Sequence, residues 1–172
     1  RQRQMCIRDR FDDLGGRLGI WIFTATLLAV FCNSPGMAAI RTFIYFMSFL
    51  FTYYAYTVLF LGFFPKSQIL FWGLCALVSP LCAFLIWFAR GKGWFSNFLI
   101  SLPIAVLAAE AYMTGKGNSV LQIIYFCMCL CLLLVLPKKR IQCAPVLLIT
   151  FLVFFVLIKL DILTIVFGNW ML

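Results

Sequence analysis

The 172-residue chain is 65% apolar and 11% charged, and carries a net charge of +9 with no histidine. A water-soluble domain is ~45–50% apolar and ~25% charged, so this composition excludes one and describes an integral membrane protein. The basic excess suits an anionic lipid surface better than a nucleic-acid site.

The first ten residues, Arg-Gln-Arg-Gln-Met-Cys-Ile-Arg-Asp-Arg, resemble a translated sequencing-library adapter, and residues 1–10 are expected to be a non-native tail. Without that tail the net charge falls to +6. Residues 11–172 read as a single all-α transmembrane domain, a polytopic helical bundle of about six spans of ~20 residues with short loops. The expected spans are 18–32, 37–64, 68–89, 94–113, 119–136 and 143–160. Residues 162–172 extend the last span or lie in the interface with Trp170 as an anchor.

Phe11 to Arg17 is a short polar segment before span 1. Span 1 is short for a membrane helix and contains the small pair Ala25-x-x-x-Ala29. Span 2 opens on Asn33-Ser34-Pro35-Gly36, where Ser34 can cap the helix and Pro35 fits its first position. Within span 2, Arg41, Tyr45, Ser48, Thr52 and Tyr56 follow i, i+4, i+7, i+11 and i+15. At ~100° per residue they stay within about 80° of one another. In a bilayer such a polar row is expected to turn toward other helices or a wet cavity. The five residues are therefore a candidate polar seam or ligand lining, with hydroxyls as donors and Arg41 placed to attract an anion.

Spans 3 and 4 are joined by Arg90-Gly91-Lys92-Gly93 and carry Pro80 and Pro103, each about 15 Å from the turn. The two prolines free the carbonyls of Ala76 and Leu99. Such breaks either kink a packed helix or build a site near the bilayer midplane. Glu110 lies near the end of span 4, where a carboxylate opposes the helix dipole and needs a partner. Lys159 lies at similar depth in span 6, so Glu110 and Lys159 form the candidate ion pair, with Lys66 as the alternative partner. Asp161, two residues from Lys159, points to another face. Span 5 contains Cys127, Cys129 and Cys131, and the first and last share a face. Most cysteines lie in or beside apolar runs, where they pack as small apolar residues.

The missing histidine removes Ser/His proteases, HExxH metalloproteases and histidine-dependent phosphatases, and no phosphate-binding glycine loop is present. No catalytic residue, metal site, cofactor or nucleic-acid partner is expected. The expected partners are the lipid bilayer and a membrane-protein partner or a second copy. With six spans, six basic residues of the expected spans and loops fall on one side (Arg41, Arg90, Lys92, Lys138, Lys139, Arg140) and four on the other (Arg17, Lys66, Lys116, Lys159), which makes the first side cytoplasmic.

Asn33-Ser34-Pro35-Gly36, the Tyr-rich span 2 ending Gly62-Phe63-Phe64-Pro65, and Ala89-Arg90-Gly91-Lys92-Gly93-Trp94 resemble small bacterial polytopic membrane proteins with no assigned activity. That resemblance implies a bundle in the bacterial inner membrane, and no mechanism. Ala25-x-x-x-Ala29 is similar to the small-residue motif on the first helix of substrate-capture subunits of energy-coupling-factor transporters. The readings that follow are a non-enzymatic bundle serving as scaffold or accessory component, and alternatively a small permease or substrate-capture subunit with a midplane site near Pro80 and Pro103.

Overall fold

The computed structural model describes residues 18–61, 66–91, 93–114, 119–137 and 142–160. Among these residues the chain is all-α, with six helices and no strand. They are α1 (Leu18–Val30), α2 (Pro35–Tyr56), α3 (Lys66–Trp87), α4 (Trp94–Thr114), α5 (Ser119–Val135) and α6 (Cys143–Lys159). A π-helical turn, Thr57–Leu61, prolongs α2, and a 3₁₀ turn, Phe88–Arg90, prolongs α3. The tail at 1–10, the segments 11–17 and 162–172, and Lys92, Lys116, Lys138, Lys139, Arg140 and Asp161 lie outside the described residues.

Local chemistry sets the helix starts. The Ser34 hydroxyl accepts the Met37 N–H at 3.3 Å, and Pro35 occupies the first turn of α2, where its missing N–H costs nothing. Before α4, Gly93 takes φ +111°, a conformation that side chains rarely tolerate.

Three helices are long and apolar enough to cross a membrane: residues 35–59, 69–90 and 94–114. The other three are shorter. At ~1.5 Å per residue, the 17 residues of α5 and of α6 rise about 26 Å and the 13 of α1 about 20 Å, against a hydrocarbon core of ~30 Å. Large apolar side chains such as Phe51, Leu59, Leu81, Phe126 and Leu134 cover the outside. That surface suits lipid rather than water.

The helices form two groups. α2 packs along α3, while α4 packs along both α5 and α6. α3 and α4, though joined by a tight turn, touch only sparingly. α1 lies between the groups and contacts α2, α3, α4 and α5. Its sequence is apolar all round, as a helix with neighbours on every side requires.

Each face of α1 meets a separate cluster. Trp21 joins Phe46, Leu50 and Ala76, stacking on Phe46 at 5.2 Å and lying 5.4 Å from Trp72. Ala29 and Cys32 meet Ala38 and Ala83, a contact of small side chains that lets three helices approach closely. Val30 belongs to the largest cluster, with Ile100, Leu107, Tyr125, Leu132 and Val146. α4 is the most enclosed helix, with over half its residues buried.

Candidate functional site

The polar row on α2 does not form an inner seam. Ala38, Thr42, Phe46 and Leu50 are the buried residues of this helix. Arg41, Ser48, Thr52 and Tyr56 are exposed, and Tyr45 is half-buried. The reason is geometric. A buried row spaced by four advances ~40° at each step, while the polar row holds its direction. The two are neighbours at the start of α2 and lie nearly opposite by its end. Arg41 and Tyr45 consequently reach the edge of α1, whereas Ser48, Thr52 and Tyr56 face away from the bundle. The Thr52 hydroxyl donates to the Ser48 carbonyl at 2.8 Å, which satisfies it within the helix.

Where α1 and α2 diverge, Arg41 and Tyr45 line an open groove of about 400 Å³ with Thr24, Leu27, Leu28 and Phe31. Its two small polar groups on this side, Thr24 on α1 and Cys32 just past the end of that helix, are already engaged. The Thr24 hydroxyl donates to the carbonyls of Ile20 and Trp21, at 2.9 and 3.1 Å. The Cys32 thiol donates to the Leu28 carbonyl at 3.1 Å. The α1 wall is thus apolar in effect, and Arg41 is its charged rim. Among the described residues Arg41 makes no ion pair.

Two long-range bonds fix the same end of the bundle. The Arg90 guanidinium donates to the Val30 carbonyl at 2.9 Å, capping the C-terminus of α1 with a cation that also complements the helix dipole. Trp87 Nε1 donates to the Cys32 carbonyl, also at 2.9 Å. The two contacts cross 60 and 55 residues of chain, and neither follows from local sequence pattern.

Glu110 and Lys159 differ sharply in burial. Glu110 is buried, and its carboxylate rests against the first turn of α1, where Gly19 leaves room for it beside the Tyr125 ring and Leu107. Lys159 is exposed in the last turn of α6, and among the described residues no ion pair between the two is seen. Equal depth along two helices does not fix rotation about them: the Glu110 carboxylate lies at Gly19 of α1, beside Tyr125 of α5. The alternative partner, the side chain of Lys66, lies outside the described residues.

The two proline breaks have different surroundings. Pro80 removes the N–H that the Ala76 carbonyl needs, and the Ser79 hydroxyl donates to that carbonyl at 2.8 Å in its place. Pro103 is buried in the body of α4, one turn from Leu99 and beside Ile104, both in the main cluster. Because α3 and α4 diverge, the two breaks are held against different neighbours. Ser79→Ala is expected to cost about 1 kcal/mol, the upper range for polar contacts within membrane helices. Pro80→Ala restores the missing N–H, so the serine change should cost almost nothing in that background. Equilibrium unfolding of the four proteins in mixed micelles checks this cycle, and an unchanged cost beside Pro80→Ala would contradict it.

Of the span 5 cysteines, Cys129 donates its thiol to the Ile104 carbonyl of α4 at 3.7 Å. Cys127 is exposed and Cys131 half-buried.

Comparison with protein-family models, with curated proteins and with solved structures gave no match.

Proposed function

We propose that the protein is a six-pass bundle of the bacterial inner membrane that acts as a non-enzymatic accessory component, docked to another membrane helix through the outer face of α2. The observation that carries this reading is the outward exposure of Ser48, Thr52 and Tyr56. Polar side chains on a membrane helix gain by meeting a second helix, where serine and threonine permit close approach and exchange hydrogen bonds. The short helices α1, α5 and α6 complete their crossings by local thinning of the bilayer. The end bearing Arg41 and Arg90 faces the cytoplasm, following the basic bias of the sequence. A permease reading asks for free backbone carbonyls at the proline breaks, and the Ser79 bond occupies the one at Ala76, so the geometry favours it less.

A photoreactive amino acid placed at position 48 or 52 in living cells tests the reading. It should yield one discrete protein adduct, either a different membrane protein or a second copy of this chain. The same probe at Leu81 on α3 or Phe126 on α5, both exposed among apolar residues, should capture lipid only. Lipid adducts alone at positions 48 and 52 would overturn it.

A further inference from the structure

We propose that the groove between α1 and α2 seats an anionic glycerophospholipid, its phosphate on the Arg41 guanidinium and an acyl chain running inward along Leu28, Leu27 and Thr24. This site lies nearer the start of α2 than the partner-docking residues, on the same stripe of the helix, and does not depend on that docking.

Three observations converge. First, the groove lining is mainly apolar, and Arg41 is its one charged residue. At about 400 Å³ it lies within the usual size of a small-ligand site. An acyl chain therefore finds the Thr24 hydroxyl and the Cys32 thiol already bonded. Second, among the described residues no acid accompanies Arg41. Glu110 is the one acid among the described residues. It lies beside Gly19, eleven residues and about 16 Å along α1 from Val30, at the opposite end of the bundle. Arg90, held on the Val30 carbonyl, adds a second cation at the Arg41 end. Third, the depth matches a lipid. Arg41 is six residues into α2, about 9 Å from its start, from where its stem reaches back toward the head groups. A lipid phosphate offers the paired oxygens that the guanidinium fork binds best. A zwitterionic lipid brings its own ammonium to the same place and competes with the arginine, so the chemistry selects an anionic head group.

The purified full-length chain in non-ionic detergent provides the test, with bound lipid counted by native mass spectrometry. Phosphatidylglycerol should bind at one equivalent, about five- to tenfold tighter than phosphatidylcholine with the same acyl chains. Arg41→Gln should abolish that preference, and Arg41→Lys should keep part of it. Arg41 is exposed and unpaired among the described residues, so both variants should fold. Leu28→Trp, which fills the groove, should weaken both lipids together. Lys159→Gln, which removes a charge elsewhere, should change neither. Inorganic phosphate at millimolar concentration should not displace the lipid. The proposal is overturned if Arg41→Gln retains the preference, if both lipids bind wild type alike, if inorganic phosphate displaces the lipid and so marks a free-anion site, or if a second copy covers the groove and excludes phosphatidylglycerol.

Discussion

Gly19→Leu should prevent the bundle from assembling, and Gly19→Ala should destabilise it by about 1–3 kcal/mol. A Cβ at position 19 would overlap the Glu110 carboxylate and the Tyr125 ring, and would stand 3.1 Å from Leu107 Cδ2. Alanine normally gains up to ~1 kcal/mol over glycine inside a helix. Position 19 is in the first turn of α1, where that gain is smallest, so the overlap decides the sign. The Glu110 side chain can rotate, but Tyr125 and Leu107 are both fully buried and cannot withdraw without moving α5 or α4. If the overlap is the cause, Tyr125→Ala in the Gly19→Ala background should recover part of the loss, even though Tyr125→Ala alone costs several kcal/mol by opening a cavity. Reversible unfolding in mixed micelles measures each term. Simple additivity of the two substitutions would show that the ring is not what Gly19 accommodates.

The steps from sequence to bundle that proved legible were those written in local chemistry. Ser34-Pro35 starts α2, Gly93 precedes α4, and long apolar runs make helices. What was not legible was rotation about the helix axes and the choice of neighbours. The row from Arg41 to Tyr56 was expected to face inward because a polar row avoids lipid. That argument assumes helices on all sides, and α2 stands at the edge of the bundle with its packed face along α3 and α1. Glu110 was matched to Lys159 by depth alone, which leaves the direction of a side chain round its helix undetermined. α1 was the hardest case. A helix apolar on every face carries no periodic signal to say which side meets what, and only the assembled structure distinguishes the Gly19 side from the Trp21 side. The Arg90–Val30 and Trp87–Cys32 bonds were hidden for the same reason, since nothing local to Arg90 or Trp87 names a partner so far away in the chain.

The opposite face of α1 supplies the second large effect. Trp21→Ala is expected to cost about 3–5 kcal/mol. The indole is 7% exposed, stacks on Phe46 with an interplanar angle of 19°, meets the Phe49 ring edge-on at 4.4 Å, and leans on Trp72 of α3. Each aromatic pair adds ~0.5–1.5 kcal/mol beyond the area it buries, so Trp21→Phe should restore roughly half the loss. Positions 19 and 21 are ~200° apart on the helix, so the two substitutions strike different interfaces. Trp21→Ala should free α1 from α2 and α3 while its seat against α4 and α5 persists, and Gly19→Ala should do the reverse. If the two groups of helices are separate packing units joined through α1, the combined variant should lose the sum of the two single losses to within about 0.5 kcal/mol. A combined loss well below that sum would mean that either change alone releases α1 entirely, and that the two groups cohere only through it. Disulfide trapping between α1 and α2, and separately between α1 and α5, distinguishes these outcomes helix by helix: in the first case each variant loses one cross-link, and in the second each loses both.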